Sequence, residues 1–566
     1  MSNFAPSTNV ISFYLEELIW GHRFHDEQTT PMIGMEFLNV LQNKSFREYI
    51  NRNNPEESTL VYSSRRNFAL RTLLFNNPYI EHISRSVQQP WKVWAENFAP
   101  DRVSDGQGAS RTTRELLTAF SDPESGRWNH EYLIRAFNDG SLCDDWDSFN
   151  NFANTLRLIR SCSFNIHTNK RWTSLFVFPW GSDCLFAETD ERGSPDKRFF
   201  GRSGELLFVL LSYADHCDDL EVLVKKRYLG RSHPLNRVCR VLSGPYGDKS
   251  LENRGCHGPE MVTEVTRARA NLLCNDLIAM LGAKLPSEDL FLHLCRIIGL
   301  HLICYFFERA VEVTQKEFYE GLPVNQDVIK NGFAFPCEIL AQSSNGLRQL
   351  SKDVYVANRG LSLVALKSFI NHRAEEIKRE CLDELGISEG EAAEDEIFQS
   401  KYREKFIKYF RVAREEILKE LEDPEGETGG NLKDRFFERA KVRHAGHWAK
   451  VPHAFGRTIG LASPLGTNAY RYCPEDALLI SLILANVEGK RMLLDDFLWK
   501  LFEKYHIIIG HVVSQALHQE INNDDWAENV TRLKERLKKL GMLESLSDGF
   551  DYVTNSFYAE KAVEEK

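Results

Sequence analysis

The chain has 566 residues, 42% hydrophobic and 27% charged, an ordinary globular composition that excludes wholesale disorder, collagen-like repetition and a disulfide scaffold. Lys and Arg number 70 against 81 Asp and Glu, a net charge of −11, so the chain is not a general polyanion binder and any nucleic-acid contact must be local. At about 150 residues per domain, the length predicts three or four domains.

Residues 1–160 read as a mainly helical N-terminal region with aromatic anchors, broken at Asn51-Arg52-Asn53-Asn54-Pro55 and at the polar run 101–108. The region 161–360 reads as an α+β core. Its β element is expected between Ser163 and Glu188, where Trp172 to Phe178 and Cys184 to Ala187 flank the turn Pro179-Trp180-Gly181-Ser182-Asp183 as a hairpin or small sheet. Helical spacing returns over Glu205 to Ala214 and again over 262–281 and 288–309. The longest apolar run, Leu290 to Phe307, is interrupted by His293, Arg296 and His301. An arginine at a bilayer centre costs about 3 kcal/mol, so this run is expected as the central helix of a large core and no membrane contact is predicted.

Residues 361–465 read as long charged amphipathic helices followed by a basic linker, with a loop at Glu422 to Gly430, where Pro removes a donor and Gly-Gly frees the backbone. The final stretch, 466–566, is the most informative. Pro474-Glu475-Asp476 opens a helix through Val487, a second is expected over Leu493 to Tyr505 and a short one over Val512 to Gln519. In the next helix, Asp525 to Leu540, the residues Trp526, Val530, Leu533, Leu537 and Leu540 fall within about 80° of one another at 100° per residue. Arg532, Arg536 and Lys539 form a separate ridge, Lys534 and Lys538 lie beyond the apolar stripe, and Glu528 and Glu535 offset these cations only in part. After Gly541 the sequence turns at Ser547-Asp548-Gly549, a hairpin signal between apolar-rich segments. Helices followed by a hairpin are the order of a winged helix, whose last helix can enter a DNA major groove. Arg532, Lys534, Arg536, Lys538 and Lys539 are therefore the expected DNA- or partner-binding residues. The bland alternative is a solvated helix face.

Other constellations lack an essential part. His444-Ala445-Gly446-His447 with His453 has no further donors at zinc-ligand spacing and sits among Lys441, Arg443, Lys450 and Arg457. Cys239, Cys256, His257 and Cys274 suit zinc by type, but the 12 cysteines include no Cys-x-x-Cys pair. His22, His25, Asp26 and Glu27 are neighbours that rarely converge on one ion, and read as a hydrogen-bonded helix end. Glu376-Ile377-Lys378 has no upstream Pro-Asp strand. A phosphate-binding Gly-x-x-x-x-Gly-Lys-Ser/Thr loop and a Gly-x-Ser-x-Gly elbow are both missing from the sequence.

Phe13 to Leu41 and Gly456 to Gly510, the latter with Gly456-Arg457-Thr458-Ile459-Gly460-Leu461, Ser463-Pro464-Leu465-Gly466 and Tyr472-Cys473-Pro474-Glu475-Asp476, are similar in style to uncharacterised accessory proteins of bacterial defence and DNA-modification islands. The resemblance covers about a seventh of the chain. It implies a setting, a subunit whose motor and effector are separate polypeptides, and transfers no functional residues.

The expectation is thus a mainly α protein with a small β element and a C-terminal winged helix. It is read as a cytoplasmic, DNA-associated adaptor or accessory subunit of a multi-protein system such as anti-phage defence, and more as a binding protein than an enzyme. Double-stranded DNA and other protein subunits are its expected partners, and no cofactor or bound metal is expected. Two alternatives stay open: a metal-dependent nuclease whose site assembles only in three dimensions, and a purely structural interaction subunit.

Overall fold

The computed structural model describes residues 10–24, 28–50, 60–66, 180–185, 203–243, 249–255, 262–314, 333–339, 345–392, 394–410, 432–464, 469–510, 522–547 and 549–558. These are mainly helical with small sheets. In chain order they run α1 (Val10–Trp20), α2 (Thr30–Asn43), α3 (Phe46–Ile50), β1 (Leu60–Arg66), α4 (Ser203–Ser212), α5 (Cys217–Tyr228), α6 (Pro234–Ser243), β2 (Lys249–Gly255), α7 (Glu264–Leu281) and α8 (Ser287–Thr314). There follow β3 (Phe335–Pro336), α9 (Asn345–Leu385), α10 (Glu389–Ala392), α11 (Glu396–Phe410), α12 (Leu432–Gly446), α13 (Val451–Thr458), β4 (Ala462–Ser463) and β5 (Arg471–Tyr472). The last are α14 (Asp476–Asn486), β6 (Arg491–Leu493), α15 (Leu494–Tyr505), β7 (Ile507–Ile508), α16 (Asn523–Lys539), β8 (Leu543–Ser545) and β9 (Asp551–Thr554).

The apolar run 290–307 lies in α8, the axis of the core. α8 packs against α2, α7, α9, α13 and α14. It is long and apolar enough to cross a membrane, but 83% of its apolar window is buried inside the chain, as expected of a core helix. Close approach of α2 and α13 to α8 depends on Gly299, where an added Cβ would sit 2.5 Å from Thr30 Cγ2 and 2.6 Å from Ile459 Cγ2. At one end of the core Trp20 stacks on Trp448, ring centroids 3.8 Å apart, and donates its indole N–H to the Phe306 carbonyl at 3.2 Å. The indole is thus both packed and hydrogen-bonded, which is what a buried tryptophan requires.

The sheets are short. β1 pairs antiparallel with β2 from Leu60↔Gly255 to Arg66↔Lys249, so a strand stands inside the stretch read as helical. β3 pairs in parallel with β7, and β4 pairs antiparallel with β5. The three-stranded sheet has the order β6-β9-β8, with Met492↔Val553 on one side of β9 and Leu543↔Val553 on the other.

The hairpin expected over 163–188 lies mostly outside the described residues. Within it, Trp180 to Leu185 forms a turn against α6, where Asp183 accepts from Asn236 at 2.8 Å and Arg240 at 3.0 Å. The loop 422–430, the helix expected over 512–519 and the polar runs 51–55 and 101–108 are also outside the described residues. The stretch read as a basic linker is helical: Lys441 and Arg443 lie on α12, Arg457 on α13, and His444 is wholly buried beside Trp448.

Candidate functional site

The C-terminal residues are built around α16. Asn522 caps it, its side chain accepting from the Asp524 N–H at 3.1 Å, and Asp524 and Asp525 stand in the first turn. Arg536, Lys538 and Lys539 occupy the last turn, the end of a helix that favours cations. Gly541, at φ +69°, follows in the left-handed conformation that glycine adopts without strain. Trp526, Leu533 and Leu537 are buried as the spacing predicts, while Val530 and Leu540 are half-buried. The fourth fully buried position is polar. Asn529 donates to the carbonyls of Cys337 (3.0 Å) and Ile509 (2.8 Å) and accepts from the Ile339 N–H (2.7 Å), tying α16 to the ends of β3 and β7.

The five expected binding residues divide into two sets. Arg532 pairs with Glu528 at 2.9 Å on the same helix, and Lys534 reaches Asp551 of β9 at 2.8 Å. Hydrogen bonds from Lys534 and then Ser545 hold the Asp551 carboxyl below its usual range. Arg536 spans to the start of α14, donating to Asp476 at 2.9 Å and to the Pro474 carbonyl at 3.0 Å. The Lys538 and Lys539 side chains are exposed and make no hydrogen bond or ion pair among the described residues, although the Lys538 charge contributes to holding Asp551 down. On the three-stranded sheet, Arg491 of β6 lies over the Tyr552 ring at 4.8 Å and 3.6 Å from Glu544. Two large apolar side chains are open to solvent in the same part of the chain, Trp499 on α15 (46% exposed) and Phe550 before β9 (55%).

Between α7, α8 and α15 lies a buried ionic network that the sequence reading missed. Asp276 of α7 accepts from His301 Nε2 at 2.8 Å and also from Lys504 and Tyr505 of α15. Arg269, one heptad before Asp276, donates to His301 Nδ1 (3.2 Å), to Glu308 (2.9 Å) and to the Lys504 carbonyl (2.7 Å). His506 follows α15 in the left-handed conformation, φ 60°, with Nε2 3.7 Å from Glu308. Burial alone would raise the Glu308 carboxyl, but the Arg269 charge and His506 reverse this and hold it down at about 2. Asp276 is lowered in the same way, its burial outweighed by His301 and Lys504. Burial dominates at the imidazoles, so His301 and His506 are held below their ordinary value despite their acidic neighbours. Charges this deep are tolerated only when matched. Here the matching joins α7 and α8 of the core to α15. The available signal was the repeated spacing of seven, Arg269 with Asp276 and His301 with Glu308, which places each pair on one helix face.

The remaining constellations resolve into packing. His22 Nε2 meets Glu205 at 2.8 Å, and Tyr62 donates to the other oxygen of that carboxylate at 2.8 Å. His25, Asp26 and Glu27 lie outside the described residues. His444 is bonded to Ser362 at 3.1 Å, and its burial holds its pKa down at about 3. Cys239 and Cys274 are buried on separate helices, with Cys256 and His257 outside the described residues. Glu376 pairs with Arg373 and Lys378 with Glu389 on the α9 surface. Among the described residues no three His, Cys, Asp or Glu side chains are grouped to hold a metal. No family model matches the chain, and no match is found among characterised proteins.

Proposed function

We propose that the chain is an accessory subunit of a DNA-associated assembly, and that its C-terminal residues form a winged helix serving as the docking module. The supporting observation is the sequence of elements α14, β6, α15, β7, α16, β8, β9 with β6 paired to β9 on the side away from β8. Apart from β7, which pairs with β3, this is the order of a winged helix, with α16 in the recognition position. In this reading Lys538 and Lys539 meet DNA phosphate, since Arg532, Lys534 and Arg536 are already matched by Glu528, Asp551 and Asp476. Two phosphate contacts position a protein on a duplex without reading bases, and they make its affinity depend on salt. The bacterial defence setting rests on the sequence resemblance alone.

The test is fluorescence anisotropy of a labelled duplex across a salt series, with the full chain and with Lys538→Gln plus Lys539→Gln. Weaker binding, with a salt slope shallower by about two, is the expected result. A full chain that does not bind duplex DNA at low salt refutes the DNA contact. Deleting the module is a poor control, because β7 pairs with β3 and Arg471 bonds the buried Glu338.

A second reading, docking of a protein partner, is favoured by Trp499 and Phe550. Large exposed aromatic side chains are enriched at protein interfaces. Substituting both with serine would then abolish partner capture while leaving DNA affinity unchanged.

A further inference from the structure

α15 has two faces of opposite character. Leu494, Phe497, Leu498, Leu501, Phe502 and Tyr505 are buried. Asp495, Asp496, Trp499 and Glu503 are exposed, and at 100° per residue they fall within about 100° of one another, with Trp499 one turn from Asp495 on one side and from Glu503 on the other. The Trp499 ring stands against Phe502, centroids 5.8 Å apart, and is 46% exposed. An aromatic side chain of this size left in water gains from burial against a partner, and tryptophan is among the side chains that most often dominate an interface. The helix beneath it is pinned. Lys504 and Tyr505 both donate to the buried Asp276, and Lys500 donates to the Asn486 carbonyl at 3.1 Å and to Glu488 at 2.7 Å. Trp499 is therefore presented on a fixed surface, and binding there orders no further backbone.

The charges on this face point to its occupant. Both lysines of α15 are taken up by acids elsewhere in the chain, whereas the side chains of Asp495, Asp496 and Glu503 make no hydrogen bond or ion pair among the described residues. Asp495 and Asp496 stand in the first turn, where the positive end of the helix dipole favours an acid. Glu503 stands in the last turn, where the dipole disfavours one, so helix stability does not account for its charge. Three carboxylates around one indole repel phosphate, which argues against a nucleic acid or an anionic membrane on this face. They attract a cation, and the tryptophan ring is the best aromatic acceptor of a guanidinium or ammonium group over its face.

We propose that the face formed by Asp495, Asp496, Trp499 and Glu503 docks a basic segment of a partner protein, with an arginine or lysine over the Trp499 ring and flanking cations paired to the three carboxylates. The inference rests on the reading that the chain docks a protein through its exposed aromatic side chains, and it gives that partner a charge. It also assigns the two helices opposite tasks, the cations of α16 meeting phosphate and the acids of α15 meeting a cationic protein.

The test is fluorescence anisotropy of the full chain with a short labelled peptide of Arg and Ala, and with two control peptides in which Gln or Glu replaces each Arg. The Arg peptide is expected to bind, more weakly as salt is added, and the controls are not. Trp499→Leu, which keeps apolar bulk but removes the ring, should weaken it about threefold or more. Asp495→Asn with Asp496→Asn and Glu503→Gln should weaken it about tenfold, the chain remaining folded by circular dichroism. Glu394→Gln with Glu396→Gln and Glu404→Gln, exposed acids on or just before α11, should leave it unchanged. No binding of the Arg peptide, full affinity in Trp499→Leu, or an equal loss from the two triple substitutions would each overturn the proposal. A Gln peptide that binds as tightly and is lost in Trp499→Leu would keep protein docking and overturn the charge assigned to the partner. The docking reading itself fails separately, if the serine substitutions at Trp499 and Phe550 leave partner capture intact.

Discussion

The last turn of α16 and the interface of α7, α8 and α15 carry similar side chains and use them in opposite ways. At the interface Arg269, Asp276, His301, Glu308 and Lys504 are satisfied by one another away from water. On α16 the cations lie at or near the surface, three ion-paired to single acids and two making no ion pair among the described residues. The difference teaches that a charged residue type says little about its role until its burial and partners are known. A matched buried charge locks elements together. An exposed unmatched one costs the fold little and remains free to meet a partner.

This comparison can be broken most forcefully at its buried side. Replacing Glu308 by Gln leaves Arg269 without its counter-charge, and breaking one partner of a buried pair typically costs about 3–5 kcal/mol; urea denaturation should show a loss of that order. Asn529→Ala comes next, because it leaves buried backbone groups at 337, 339 and 509 unpaired, at about 1–3 kcal/mol. Arg536→Ala removes a partly exposed pair with Asp476 and should cost within about 1 kcal/mol. Lys538→Gln with Lys539→Gln, which removes the two charges without placing acids at the helix end that favours cations, should change stability by no more than about 1 kcal/mol. If this last variant melts like the Glu308 variant, the division between the two regions fails.

Acid sharpens the same contrast. The imidazoles of His444 and His293 are held at about 3 and about 4, below the ordinary 6.5, so the unfolded chain takes up protons first as pH falls. Stability is therefore fully present above about pH 6.5 and declines below it. Glu308, at about 2 in the fold against an ordinary 4.5, adds a further loss of the same sign below about pH 4.5. Urea midpoints measured from pH 8 down to pH 4 should fall throughout the lower half of that range. A midpoint that rises between pH 6.5 and 4.5 would contradict these assignments.

Local periodicity made much of the helical frame legible. The buried run 290–307 and the stripe of Trp526, Leu533 and Leu537 are properties of single helices, and both appear where spacing placed them. His444, Trp448, Val451 and Phe455 are also spaced as a helical stripe and are all buried, so the stretch read as a linker carried a signal that its cations obscured. β1 was not legible, because its partner β2 starts nearly 190 residues later and strand pairing leaves no mark in a seven-residue segment. Asn529 was hidden for a related reason: its partners are backbone groups on two other elements. Of the candidate docking residues, sequence gave the cations but not their partners, which lie at 476, 528 and 551.

The most direct test of this division is to measure melting temperature and duplex DNA affinity on two variants side by side, Glu308→Gln and Lys538→Gln with Lys539→Gln. The account predicts a crossed result. The glutamate variant melts several degrees lower yet binds DNA normally below its transition, whereas the lysine variant melts close to the parent and binds DNA much more weakly. Two variants that lose both properties together, or a lysine variant that keeps full affinity, would contradict it.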